Sequence, residues 1–183
     1  MSIADVVRRA YNEPVYKPEY LHSFGAYACK VVSPGPWYKE SIEQEFHIVV
    51  PDELTMLWNE CSGLFLYEET SCRQGGLVVL SPLDAALKTR EYFRERDEDA
   101  RPGDFIIGEF WGDLRLVVVR SDKSADDYGA IMIVAEMDER ADWYIPERSL
   151  EAFLVHYMNA HGDDYWDVHY EKILANRAKA RKK

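Results

Sequence analysis

A chain of 183 residues with 47% apolar side chains, including 5 Trp, 12 Tyr and 7 Phe, can bury a core without disulfides or metal, which excludes a disordered chain. Net charge is −11; residues 171–183 carry six basic side chains against Glu171 alone, so residues 1–170 hold −16. Such a body repels nucleic-acid phosphates and anionic membrane surfaces and attracts basic proteins, so neither nucleic acid nor a membrane is expected as a partner.

The opening segment MSIADVVRRAYNEP has too short an apolar run for a signal peptide. It reads instead as a helix over Ser2–Ala10 capped by Ser2, with Pro14 and Pro18 breaking the pattern. Residues 24–33 predict a strand, and Ser33-Pro34-Gly35-Pro36 a turn. A short helix is expected over Lys39–Phe46.

The next helix has the clearest start. Pro51 suits a first helical position, and Asp52 and Glu53 place negative charge on the positive helix end. Leu54, Leu57, Trp58 and Cys61 recur at the spacing of one buried face, and Gly63 follows as a left-handed cap. Gly75-Gly76 predicts a turn into a strand at Leu77–Leu80. Ser81 and Pro82 open a helix to about Glu98, with Leu83, Ala86, Leu87 and Phe93 expected on its buried face.

Three strands follow, over Phe105–Phe110, Leu114–Arg120 and Gly129–Val134, with Gly112-Asp113 as a tight turn. Leu116-Val117-Val118-Val119 suggests burial on both faces. The connections are too short for helical crossovers, so these strands run antiparallel. Trp143-Tyr144-Ile145 predicts a last strand, and a helix from Pro146 places Leu150, Phe153, Leu154, Tyr157 and Met158 in the core, ending at Gly162. Asp163 or Asp164 then caps a final helix that runs into the basic tail. The expected fold is α+β, an antiparallel or mixed sheet of about five to six strands flanked by helices. The expected organisation is an N-terminal extension (1–38), an α+β domain (39–162), and a C-terminal helix with a basic tail (163–183).

Three segments, VPDELTMLWNECSGLFL, DFIIGEFWGDLRLVVVRSD and RSLEAFLVHYM, resemble in order the opening helix, middle hairpin and closing helix of the SUKH superfamily of cell-wall regulators and bacterial immunity proteins. The resemblance spans roughly Lys39–Met158. It implies a compact α+β fold without an enzymatic centre or cofactor. It further implies binding to a cognate secreted toxin, often a nuclease or deaminase. It carries no site residue over. A regulatory scaffold of the same fold is the alternative.

The acidic body makes a basic protein the expected partner, with the chain itself a monomer or weak homodimer. Charged rims set on-rate and specificity, while aromatic anchors supply affinity. The expected partner-binding residues are therefore the loop acids Glu68, Glu69, Asp97, Glu98, Asp99, Asp122, Asp126, Asp127, Glu136, Asp138 and Glu139, with Trp111 and Trp143 as anchors. His161, Asp163, Asp164, Asp167 and His169 could ligate a metal for hydrolysis. Gly162 breaks the helix between the histidines, and no HExxH pairing occurs, so no metal and no catalytic residue is expected. Cys29, Cys61 and Cys72 form no CxxC pair, and their odd count suits the reducing cytoplasm.

Overall fold

A computed structural model of the protein describes residues 1–18, 25–135, 137–167 and 169. Ser2 caps α1 (Ile3–Asn12) through a reciprocal pair with Asp5, and Ile3, Val6, Val7 and Ala10 bury its inner face. The strand β1 (Tyr27–Val32) precedes α2 (Lys39–Phe46) and α3 (Asp52–Glu60). Leu54, Leu57 and Trp58 of α3 are buried, and so is Cys61 just beyond it, as their spacing requires.

The chain then departs from the expected path. Cys61 caps α3 in an extended conformation, and Gly63 opens a strand, β2 (Gly63–Glu69), instead of forming a left-handed cap. The apolar run Leu64–Tyr67 merges with the helical pattern before it, which hides the change of period. Next come β3 (Leu77–Val79), α4 (Pro82–Glu95), β4 (Asp104–Phe110), β5 (Arg115–Arg120), β6 (Ile131–Ala135), β7 (Tyr144–Glu147) and α5 (Leu150–Asn159). Pro146 falls within β7, an edge strand that tolerates a missing N–H, and Ser149 caps α5 through the Ala152 N–H.

The fold is α+β. Among the described residues seven strands pair antiparallel in sequence order, one more than the upper expectation, and the added strand is β2. Alternation along the central strands feeds two cores. Phe105, Ile107, Val117, Val119, Ile131 and Ile133 face α1, α3 and α5, where Phe153, Leu154 and Tyr157 complete the larger core. Ile106, Leu116, Val118, Met132 and Val134 face the other way, under Tyr92 of α4 and Trp143. The first 38 residues contribute α1 and β1 to this same core and sheet.

The orientation of α4 also differs from expectation. Ala85, Ala86, Thr89 and Tyr92 are buried, whereas Leu83 and Leu87 are 68% and 44% exposed. Short side chains let α4 approach β4 closely. Thr89 is buried for a polar reason as well, since its Oγ1 accepts from the Ile106 N–H at 3.0 Å, beyond the point where β3 stops pairing with β4 at Gly108. A leucine there would leave that buried N–H unsatisfied. The final helix expected from Asp163 or Asp164 does not begin where its first residues are described, since 165–167 form a turn and a bend, and the rest of its expected span lies outside the described residues.

Candidate functional site

The rotation of α4 turns Leu83 and Leu87 towards α2 and creates a groove of about 430 Å³. One wall is α2, which contributes Ile42 and Glu45, with its cap residue Tyr38 72% exposed. The opposite wall is α4, with Leu83, Leu87 and Arg90. Ser81 fixes the start of that wall: its hydroxyl accepts from the Asp84 N–H at 3.1 Å, and Pro82 needs no partner for a first-turn donor.

The loop before α2 completes the groove and is held at both ends. The Ser62 hydroxyl donates to the Ser33 carbonyl at 2.7 Å. The Trp37 indole donates to Asn59 Oδ1 at 3.1 Å and packs edge-on against Trp58, 5.1 Å between centroids. Trp58 in turn donates to the Leu80 carbonyl at 3.0 Å. An aromatic residue is thus locked at the groove while Pro34, Gly35, Pro36 and Tyr38 stay exposed. At one end Arg90 Nε donates to Glu45 Oε1 at 3.0 Å and ties the two walls together.

The acids singled out in the sequence gather elsewhere. Asp104, its side chain fully buried, receives Arg120 Nη1 at 3.0 Å and also pairs with Arg140. Arg120 reaches Asp127 at 3.2 Å and Asp122 at 3.6 Å. The Arg140 N–H donates to Asp99 at 3.0 Å, and Arg96 Nε binds the same Asp99 carboxylate at 2.9 Å. Arg96 also donates to the Asp138 carbonyl at 3.0 Å, and the Asp138 carboxylate accepts from the Ala135 N–H at 3.1 Å. The segment between β6 and β7 folds back over the smaller core and brings Arg140 to Asp99 and Asp104, which links Asp99, Asp104, Asp122 and Asp127 into one alternating chain of charges, with Asp138 attached through its backbone carbonyl. Arg96 pairing holds the Asp99 carboxyl below the usual carboxylate range, and hydrogen bonds from Ser124 do the same at Asp122.

Asp97, Glu98, Asp126 and Glu139 remain exposed around that chain. Glu136 lies outside the described residues. Trp143 is buried, 6.4 Å from Tyr92 and under the Arg140 guanidinium at 4.1 Å, so it packs rather than projects. Glu68, Glu69 and Trp111 occupy the opposite end of the sheet. Trp111 is half-buried, edge-on to Phe65 at 5.6 Å, with its backbone bonded to Gly75 and Gly76. Glu68 is half-buried on β2, and Glu69, expected in a loop, is buried at the end of that strand. Hydrogen bonds from Cys72 and Ser71 pull the Glu69 carboxyl down to about 2.

The His/Asp segment does not assemble. His161 stacks on Tyr16 at 4.5 Å, Asp164 pairs with Arg115 at 2.7 Å, and Asp167 accepts the His169 N–H at 2.6 Å. Among the described residues no three His, Cys, Asp or Glu side chains gather as a metal site would need. Burial raises the Cys29 and Cys61 thiols to about 11, far from a reactive thiolate. No described helix is long and apolar enough to cross a membrane.

Sequence reading missed Tyr38, Leu83 and Leu87. The available signal was that α4 carries two stripes, Leu83–Leu87 and Ala85–Thr89–Tyr92, and one helix face cannot bury both. Comparison with known proteins finds no matching family model and no matching curated protein.

Proposed function

We propose that this chain is a protein-binding module, not an enzyme, that docks on a basic secreted toxin and neutralises it in the cytoplasm, in the manner of SUKH-type immunity proteins. One observation carries the reading: a preformed groove exposes Tyr38, Leu83 and Leu87 together. A contiguous exposed apolar patch on an otherwise charged surface marks an interaction site. Aromatic and aliphatic anchors supply the affinity of such a site. The −16 carried by residues 1–170 favours a basic partner and speeds its approach.

The experiment is co-expression with the toxin domain encoded by the neighbouring reading frame, scored by growth and by co-purification. Rescue together with a stable complex is the expected result. Toxicity that persists with no complex formed overturns the reading. A complex with a non-toxic partner would favour the scaffold alternative.

A further inference from the structure

Resting on the proposed docking function, we infer that the groove between α2 and α4 receives a two-turn amphipathic helix of the partner, with apolar anchors seated on Leu83 and Leu87 and cationic residues along its flanks. The walls set the shape. The lining on α4 runs from Pro82 to Arg90, a length of about 12 Å at the helical rise per residue. Anchors at i, i+3 or i+4, and i+7 on one helix span roughly the same distance, which is the usual way a helix fills an apolar groove. The locked Trp37 indole and the Glu45–Arg90 pair bound the space, so a partner helix enters a preformed channel.

Charge selects the flanks. Each cation of the two walls is already engaged: Lys39 with Glu43, Lys88 with Glu109, Arg90 with Glu45 and Arg94 with Glu95. The exposed Glu91 has no cationic partner among the described residues, and Asp84 bonds to Ser81 rather than to a cation. Glu91 continues the Leu83–Leu87 stripe by one more helical step. The α4 side of the rim therefore holds surplus negative charge beside an apolar floor, the complement of a helix bearing Lys or Arg next to its anchors.

The test is selection of a 14-residue peptide display library on the full chain, about two helical turns with flanks on either side. Enriched peptides should carry apolar residues at i, i+3 or i+4, and i+7 with flanking Lys or Arg, and should turn helical on binding by circular dichroism. Leu83→Asp should weaken them by roughly tenfold or more, and Glu91→Lys by roughly two- to fivefold, mainly in the on-rate. Leu83 is exposed, and an unchanged urea midpoint confirms that the variant folds. Enrichment of proline-rich, acidic or unspaced sequences overturns the inference, as does no enrichment or full binding to Leu83→Asp. Sedimentation showing self-association that Leu83→Asp abolishes also overturns it, because the occupant is then a second copy. Toxin rescue that survives Leu83→Asp sinks the groove helix but leaves the docking function standing. Helical basic peptides bound at the groove without rescue of any toxin do the reverse.

Discussion

The groove between α2 and α4 and the chain of charges around Asp104 make opposite uses of the same surface. Around Asp104 the side chains are polar and numerous, yet Arg96, Arg120 and Arg140 already occupy Asp99, Asp104, Asp122 and Asp127. At the groove Tyr38, Leu83 and Leu87 remain exposed. A ligand at the charged end must compete with bonds the protein makes to itself, whereas one at the groove removes apolar surface from water at no such cost. Charge density alone is therefore a poor guide to where a partner sits, and unmet surface is a better one.

That contrast is broken most directly at Asp104. Its side chain is fully buried between two arginines, so Asp104→Ala leaves Arg140 without its carboxylate and Arg120 with only the longer contacts to Asp127 and Asp122, and should cost about 3–5 kcal/mol of stability. Urea denaturation measures this. A loss below about 1 kcal/mol, the scale of an exposed pair, would show that the charge chain is a surface ornament and free to serve a partner. Next in size is Leu57→Ala on the buried face of α3, expected to cost roughly 2–5 kcal/mol by opening a cavity in the larger core.

A smaller effect belongs to Glu69. Its carboxyl sits near 2 in the folded chain against an ordinary 4.5, because Cys72 and Ser71 donate to the charged form. The stabilisation is complete above about 4.5 and is lost as pH falls towards 2. In Glu69→Gln the dependence of the urea midpoint on pH should flatten across that window, with little change in its slope at neutral pH. An unaltered acid limb would mean that the turn after β2 contributes nothing to stability, and Glu69 would return to the set of available acids.

Much of the fold was legible because caps and periods are local. Ser2, Ser81 and the Leu54–Leu57–Trp58 face each declare themselves within a few residues. The strand β2 was not legible, because Leu64–Tyr67 is apolar on both sides and follows a helix without a glycine cap. The face of α4 was not legible either. Its choice depends on the Ile106 N–H, a group seventeen positions away that needs Thr89, and no helical period encodes that need. The candidate site failed to show for the same reason: Leu83 and Leu87 look like core by composition and become surface only when β4 claims the other stripe. Among the acids, exposure of Asp97, Glu98 and Glu139 followed from their loops, but the burial of Asp99 depended on Arg140 arriving from the far side of the sheet.

The smallest stability change is the most telling for function. Leu83→Ala and Leu87→Ala remove side chains that α4 leaves largely in solvent, so each should shift stability within about 0.5 kcal/mol, against the several expected for Leu57→Ala. A hydrophobic side chain that contributes so little to folding can be covered by a partner without cost to the fold. A loss near that of Leu57→Ala would place both leucines in the core after all, close the groove as an interaction surface, and leave the exposed acids near Arg96 as the remaining place for a partner to touch.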